Sequence, residues 1–332
     1  MTTLTRRSLF AGAAAVGAAT TLTPLAGTPS RAAAPLLGNQ APGWYRYKVG
    51  SYEITVATDG KSTFKLPDTF VVNVQKDAVN GALAAAHMDK DTMTIPYSPI
   101  AVNTGSKLIV VDTGTGEANF EKTKGSSGQF HGNLKTSGID RNNVDIVVIS
   151  HFHGDHINGL LTPDNKLAFP NAEVLVPAAE WKYFMDDGEM SKQTTERMKG
   201  VFANARRVFD ALKRKVTPYE AGKEIAPGVN AVATPGHTPG HTSLIVSSGN
   251  SSVCVQADVT NHPALFVRNP GWHAFFDQDA NMAEATRRKV YDMLATEKMM
   301  VQGFHYPFPS VAYIEKAGTG YREIPVPWNP VL

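Results

Sequence analysis

Alternating and continuous apolar runs mark the predicted strands. Residues 52–58 alternate between apolar and polar side chains and are followed by Asp59-Gly60, which predicts a strand that enters a hairpin. The nearly continuous apolar run of residues 144–149 predicts a buried strand. The same patterns predict further strands at residues 100–102, 108–111, 172–176, 229–234, 243–246, 253–256 and 299–302, the first two forming a hairpin.

Four segments have the pattern of helices. Residues 130–137 predict a short helix closed by Gly138, and residues 194–212 predict a longer helix with Gly200 as a weak point inside it. Two more helices are predicted at residues 178–185 and 282–296. Because the strands first come in hairpins and later mix with helices, we expect sheets covered by helices rather than a purely parallel wound sheet.

The first residues have the pattern of a targeting segment. Arg6 and Arg7 precede a stretch without charge, residues 8–30, and Arg31 and three alanines follow it. A charged region, an apolar region and small residues in this order predict a signal peptide, and the paired arginines resemble a twin-arginine signal. Pro24 and several glycines make the stretch a poor spanning helix, which disfavours the alternative of a membrane anchor.

Removal of this segment would leave an ordinary globular protein. We expect cleavage after about residue 33, a single domain over residues 34–332, and a periplasmic or secreted protein without stable membrane association. The chain has 332 residues, of which 42% are hydrophobic and 19% charged, as is typical of globular proteins. Loss of three arginines takes the formal net charge from +2 to −1, and without a basic run the sequence gives no support to nucleic-acid binding.

Four potential metal ligands follow the predicted strand 144–149, in the run His151-Phe152-His153-Gly154-Asp155-His156. His151 and His153 are two residues apart, so extended backbone places both imidazoles on one side. Gly154 permits a turn that brings Asp155 and His156 back toward a second point nearby. Cys254 is the single cysteine of the sequence and lies in an apolar strand, so a metal site must be built mainly from histidines and carboxylates.

Three further candidate ligands each follow a predicted strand. His237 lies in Gly236-His237-Thr238-Pro239-Gly240-His241, Asp258 follows residues 253–256, and His305 follows residues 299–302. Ligand sites in α/β proteins tend to form at the carboxyl ends of strands. Imidazoles and carboxylates are the usual protein ligands of Zn²⁺, so the sequence predicts a metal site at the carboxyl ends of these strands.

The order His-x-His-x-Asp-His, Gly-His-x-x-Gly-His, Asp and His resembles the metallo-β-lactamase superfamily over about residues 45–330. The resemblance implies a four-layer αβ/βα sandwich, with two mixed sheets packed face to face and helices outside. It also implies two metal ions, one held by His151, His153 and His237, the other by Asp155, His156 and His305, with Asp258 bridging both. His241 and Asp112 correspond to supporting positions beside the ligands.

Several segments are similar to the exported methyl-parathion-hydrolase-like branch of this superfamily: residues 41–46, 102–108, 169–172, 306–309 and 320–322. Members of that branch include organophosphate hydrolases and lactone or ester hydrolases. The resemblance therefore implies cleavage of an ester, lactone or phosphotriester bond, and it also suggests a homodimer.

The implied mechanism uses two Zn²⁺ ions, about 3.5–4 Å apart, that share a hydroxide. The hydroxide attacks a carbonyl carbon or phosphorus, Asp258 holds both ions, and Asp155 accepts or passes a proton. Mn²⁺, Co²⁺ or Fe²⁺ are alternative ions in one or both sites, because these ligands accept several divalent metals.

Aromatic residues near the motifs predict a pocket for a small substrate with an apolar or aromatic portion. They are Phe152, Trp181, Phe184, Phe266, Trp272, Phe275 and Phe276. Alternatives in the same fold are a β-lactamase and a thioester hydrolase. Alternatives of other classes are a flavodiiron protein, which resembles this pattern but has a carboxylate in place of His153 and an added flavin domain, and a non-catalytic metal- or ligand-binding protein.

Overall fold

Two seven-stranded sheets contain most of the strands in the part of the chain that the computed structural model describes. That part comprises residues 34, 36–38, 40–212 and 215–332, within which Ala41–Leu332 forms one compact unit. The predicted signal segment, residues 1–33, lies outside the described residues. No helix in the described ranges is long and apolar enough to cross a membrane.

The strands follow one another along the chain as β1 (Trp44–Val49), β2 (Tyr52–Ala57), β3 (Gly60–Lys65), β4 (Thr92–Tyr97), β5 (Ile100–Asn103), β6 (Leu108–Val111), β7 (Ile146–Val148), β8 (Glu173–Pro177), β9 (Val216–Tyr219), β10 (Glu224–Ala226), β11 (Val229–Ala233), β12 (Thr242–Ser248), β13 (Ser251–Ala257), β14 (Met300–Gly303), β15 (Val311–Ala317) and β16 (Gly320–Pro325). The first sheet has the order β1-β2-β5-β6-β7-β8-β9 and the second the order β10-β11-β12-β13-β14-β15-β16. Strands β3 and β4 form a separate hairpin. Both large sheets are mixed, because β6 to β9 run parallel in the first and β13 and β14 run parallel in the second.

The helices are α1 (Lys76–Ala85), α2 (Asn119–Lys122), α3 (Phe130–Thr136), α4 (Gly154–Ile157), α5 (Ala178–Met185), α6 (Asp187–Ser191), α7 (Glu196–Leu212), α8 (Pro263–Phe266) and α9 (Ala280–Glu297), with 3₁₀ turns at Arg141–Asn143 and Asn158–Leu160. The longest, α7 and α9, cover different sheets. Side chains of α3, α5 and α7 pack on the outer face of the first sheet, and side chains of α9 pack on the outer face of the second.

Successive side chains of a strand point to opposite faces of its sheet and so belong to different hydrophobic cores. Val147 belongs to the core between the first sheet and its helices, whereas its neighbour Val148 belongs to the core between the two sheets. Val148 meets residues of the second sheet there, such as Leu244 and Val253. The layers therefore run helices, sheet, sheet, helices, which confirms the predicted four-layer sandwich.

The prediction that residues 52–58 form a hairpin with the segment after Asp59-Gly60 was wrong. Strand β2 pairs with β1 and β5, whereas β3 pairs with β4. The buried Asp59 carboxylate accepts hydrogen bonds from three backbone amides, those of Thr115 (2.9 Å), Gly128 (3.2 Å) and Phe130 (3.0 Å). These long-range bonds hold the chain where it leaves the first sheet, so Asp59-Gly60 does not close a local turn.

The predicted helices and the hairpin of β5 and β6 are present with small changes at their ends. The buried strand predicted at residues 144–149 is shorter, at Ile146–Val148. The patterns did not predict α1 or the strands β1, β4, β9, β10, β15 and β16. These elements lie outside the runs that bring the candidate ligands together.

Candidate metal centre

The candidate ligands lie at one edge of the two facing sheets. His151 follows β7 of the first sheet, and His237, Asp258 and His305 follow β11, β13 and β14 of the second. The short helix α4 carries Asp155 and His156 back toward this edge. The structure thus brings all seven predicted side chains together, in two groups.

The first group consists of His151, His153, His237 and Asp258, and all four side chains are buried. Nδ1 of His153 lies 3.1 Å from Nε2 of His151 and 2.9 Å from Nε2 of His237. Oδ2 of Asp258 lies 3.2 Å from Nε2 of His237 and 3.9 Å from Nε2 of His151. Three imidazole nitrogens and one carboxylate oxygen therefore converge on one point.

The second group consists of Asp155, His156 and His305. Oδ2 of Asp155 lies 3.7 Å from Nε2 of His156 and 3.6 Å from Nε2 of His305. Asp258 approaches this group as well, since its Oδ1 lies 3.2 Å from Nε2 of His156 and its Oδ2 3.1 Å from Nε2 of His305. The Asp258 carboxylate is therefore shared by both groups.

Hydrogen bonds on the outer side of the rings set their tautomers. Carboxylate and carbonyl oxygens can only accept, so an Nδ1 that faces one must carry the proton, and a neutral ring then presents the Nε2 lone pair inward. Three pairs of this kind have an Nδ1–oxygen distance of 2.8 Å: His237 with Asp277, His156 with Asp112, and His305 with the carbonyl of Pro96. These rings are oriented to donate lone pairs to a cation.

Burial and charge give His151, His153 and Asp258 the protonation states that metal ligands need. Burial lowers the pKa of His151 and His153 well below the ordinary range, so both rings are neutral near pH 7. Burial raises the pKa of Asp258, but the neighbouring histidines, first His305 and then His156, outweigh it and hold that pKa well below its usual value. Asp258 is therefore ionised.

The carboxylates beside His237 favour a positive charge at the centre. Burial lowers the pKa of His237, but the carboxylates of Asp258 and Asp277 outweigh this and raise the pKa to about 9. Nε2 of His156 and Oδ1 of Asp258 are buried at 3.2 Å from each other, yet neither makes a hydrogen bond with the described residues. A bound cation would displace the proton and would satisfy both atoms, so these residues fit a metal ion.

Two predicted supporting residues lie against the ligands. Asp112 follows β6, has a left-handed φ of 56°, and accepts hydrogen bonds from the Ser150 amide (2.9 Å) and the Ser150 hydroxyl (2.8 Å). His241 accepts a hydrogen bond from the Asp258 amide at 3.0 Å through Nε2, while its Nδ1 donates to the carbonyl of Thr234 at 3.0 Å. His241 therefore fixes the backbone of Asp258 and lies outside both ligand groups.

Two buried carboxylates at the centre were not found from the sequence. Asp277 accepts from His237, and Glu180 on α5 accepts hydrogen bonds from the loops that carry the ligands. Burial raises the pKa of Glu180 to about 7, against three donors that favour its ionised form. Neither residue belongs to a short motif. Only the fold places them beside the centre.

A cavity of about 260 Å³ reaches the centre. Besides five of the ligands it is lined by Ile95, Tyr97, Gly154, Arg197, Val201, Asn261 and Phe276. Phe276 is thus the one member of the predicted aromatic set that lines this cavity.

Five of the six other aromatic side chains lie in or against hydrophobic cores, which corrects the prediction for those five. Phe152, Phe184 and Phe266 are fully buried in hydrophobic cores, Trp181 and Trp272 pack against those cores, and Phe275 is 42% exposed beside Arg197. Phe152 lies between His151 and His153, so strand-like alternation turns its ring away from the centre and into the helical layer.

The chain is similar in sequence to a known family and to a characterised enzyme. Residues 96–293 match the family described as the Metallo-beta-lactamase superfamily. An N-acyl homoserine lactonase of Bacillus sp is 26% identical over 169 residues, which cover 51% of this chain and 58% of that protein. The chain therefore spans less than two thirds of the length of that relative.

Two solved structures share the fold over nearly their whole length. The dizinc quorum-quenching lactonase AidC, in complex with a product N-hexnoyl-L-homoserine, has a TM-score of 0.80 at 25% identity and covers 86% of this chain and 98% of its own. The hydrolase AbOPH of the beta lactamase superfamily has a TM-score of 0.80 at 26% identity, over 88% of this chain and 100% of its own. A dizinc relative and the two ligand groups together support a dinuclear zinc site.

Proposed function

The chain belongs to the metallo-beta-lactamase superfamily, and from this premise we propose that it is an exported dinuclear zinc enzyme that opens the ester bond of an N-acylated lactone. The relatives, which include lactonases, support the broader prediction of a metal-dependent hydrolase. The observation that carries the proposal is the position of Asp258, whose two oxygens lie within 3.1–3.2 Å of ligand nitrogens from both groups. A carboxylate shared in this way can serve two adjacent cations at once.

In the proposed site, His151, His153 and His237 would hold one ion, Asp155, His156 and His305 would hold the other, and Asp258 would serve both groups. The zinc ions would supply Lewis acidity toward a carbonyl oxygen and would make water a stronger acid. The chain itself orients the imidazoles through Asp277, Asp112 and the Pro96 carbonyl. Asp155 is partly exposed, with 25% of its side chain accessible, and lines the cavity, so the carboxylate oxygen that does not face His156 and His305 is placed to accept a proton.

The lining of the cavity favours a substrate with an apolar portion. Ile95, Val201 and Phe276 supply apolar walls for an acyl chain, and Asn261 supplies an amide that can hydrogen-bond a carbonyl group. The lactone assignment follows the activity of the relatives. The substrates implied by the methyl-parathion-hydrolase-like branch are the next candidates: aryl esters present the same carbonyl carbon, and phosphotriesters present a phosphorus atom instead.

Export and assembly complete the proposal. Arg6 and Arg7 followed by an uncharged stretch support a twin-arginine signal, removal at about residue 33, and a periplasmic or secreted mature domain of residues 34–332. We include a homodimer in the proposal, on the resemblance to the exported branch, and no association with nucleic acid.

The proposal is tested by measuring hydrolysis with a matched panel before and after exhaustive chelation. The panel contains N-hexanoyl homoserine lactone, an aryl ester, a paraoxon-like triester and a chromogenic cephalosporin. We expect turnover of the lactone that is lost on chelation and restored by Zn²⁺, Co²⁺ or Mn²⁺. Cleavage of the cephalosporin alone would make the chain a β-lactamase. Metal binding without turnover of any compound would make it a binding protein.

A further inference from the structure

Glu180 contacts both of the loops that carry the first ligand group. Its side chain is fully buried, with 0% exposed. One carboxylate oxygen accepts a hydrogen bond from the backbone amide of Phe152 at 3.0 Å. The other accepts from the hydroxyl of Thr238 at 2.9 Å and from the backbone amide of Gly240 at 2.8 Å. Three donors thus meet a single carboxylate.

These donors come from different sheets. Phe152 lies between His151 and His153, in the loop that follows β7 of the first sheet. Thr238 follows His237 directly, in the loop that follows β11 of the second sheet. The first ligand group takes two histidines from one loop and one histidine from the other, so its geometry depends on how the two loops are spaced.

Backbone packing brings Glu180 to the loop that carries His237 and Gly240. A Cβ atom on Gly240 would overlap the backbone nitrogen and Cα of Glu180, so a glycine is required where this loop passes the start of α5. At Gly240 the backbone of the loop therefore packs directly against the backbone at the start of α5. The carboxylate therefore transmits the position of α5 to both loops.

We propose that Glu180 is a positioning residue that sets the spacing between the His151–His153 loop and the His237 loop, and thereby the affinity of the first ligand group for its metal ion. This inference rests on the metal assignment made above. The carboxylate is needed because all three partners are donors. A glutamine at this position would turn an amide N–H₂ toward at least one of them, leaving buried donors unpaired.

The test compares Glu180→Gln with Asp59→Asn, a matched control. Asp59 is also a fully buried carboxylate that accepts from three backbone amides, but those amides do not belong to ligand loops. The purified holoproteins are dialysed against increasing concentrations of a zinc chelator, and the zinc retained per chain is measured by elemental analysis. Unfolding midpoints and the visible spectra of Co²⁺-substituted proteins are recorded in parallel.

We expect Glu180→Gln to lose one of two zinc ions at a chelator concentration at least about tenfold lower than the wild type, with an altered Co²⁺ spectrum. Asp59→Asn should lose stability and keep the wild-type zinc retention. The inference is overturned if Glu180→Gln retains zinc up to the same chelator concentration as the wild type. It is also overturned if Asp59→Asn loses zinc as readily as Glu180→Gln does.

A second variant tests the positioning role of Glu180 if Glu180→Gln does not fold. Thr238→Val removes one of the three hydrogen bonds and leaves the carboxylate in place, so it should shift zinc loss in the same direction by a smaller factor. Unchanged zinc loss in Thr238→Val would then overturn the inference. Zinc content of the wild type decides the proposed function separately, because a wild type without zinc contradicts the metal assignment itself.

Discussion

Nδ1 of His237 lies 2.8 Å from Oδ1 of Asp277, and through this contact the metal centre is joined to helix α9. The other carboxylate oxygen of Asp277 faces the guanidinium of Arg287 at 3.3 Å, and both of these side chains are buried. Arg287 in turn donates hydrogen bonds to the carbonyls of Val259 (3.1 Å) and Pro270 (2.8 Å). The His237 ring is therefore held by a chain of contacts anchored in a helix.

Asp277→Asn should weaken the centre without unfolding the protein. The amide oxygen can still accept from His237, but the negative charge that faces both His237 and Arg287 is lost. We expect zinc affinity and kcat/KM to fall by about 10- to 100-fold.

Asp279→Ala is the control, because Asp279 caps α9 through the Met282 amide at 2.9 Å and makes no contact with a ligand. Loss of this cap should cost about 1 kcal/mol of stability with unchanged zinc affinity. Equal zinc affinity in both variants would argue against the role given to Asp277.

His151→Ala and Asp258→Ala should each abolish lactone hydrolysis and leave the fold largely intact. His151 supplies a ligand of the first group only, whereas Asp258 serves both groups. We therefore expect His151→Ala to retain up to one zinc ion per chain and Asp258→Ala to lose both. Circular dichroism checks the fold, and elemental analysis checks the zinc. Near-native turnover in either variant would count against the ligand assignment.

Phe276 and Phe184 provide a matched pair for the corrected pocket. Phe276 lines the cavity, whereas Phe184 is fully buried among the helices that cover the first sheet. Phe276→Ala should raise KM for long-chain lactones more than for short-chain ones, since an apolar wall is removed. Phe184→Ala should lower the free energy of unfolding by about 3–5 kcal/mol, because it leaves a cavity in the core. An unchanged chain-length preference in Phe276→Ala would exclude that residue from the acyl site.

Cys254 should resist thiol reagents in the folded protein. It lies on β13, is 1% exposed, and burial raises the pKa of its thiol to about 12. The reactive thiolate is therefore absent from the native state between pH 8 and 10, where an unfolded cysteine ionises. Because the folded state disfavours the thiolate, this group makes folding less favourable as pH rises above the ordinary thiol pKa. Labelling with a chromogenic disulfide should occur only in denaturant; rapid labelling of native protein at pH 8 would contradict the buried position.

The ligands were predictable from the sequence because each follows a strand, and strand ends that share an edge bring their loops together. His151 and His153 needed only the two-residue period of extended chain. Asp277 and Glu180 were not predictable, since the first faces His237 from 40 residues away and the second faces Phe152 from 28 residues away, and neither has a local signal.

Two errors have the same origin. Phe152 was placed in the pocket because it neighbours two ligands, although the alternation that aims those ligands inward turns Phe152 outward. The hairpin after residues 52–58 was predicted from local turn residues, whereas the partners of Asp59 lie 56 to 71 residues further along the chain. Local patterns define periodicity, and long-range contacts decide the partners.

The two oxygens of Asp258 are placed to serve two zinc ions. The most direct measurement is anomalous X-ray scattering at the zinc edge from crystals of the mature protein. We expect two peaks about 3.5–4 Å apart, one among His151, His153 and His237 and one among Asp155, His156 and His305, with the Asp258 carboxylate between them. A single peak, or zinc bound away from these residues, would contradict the account.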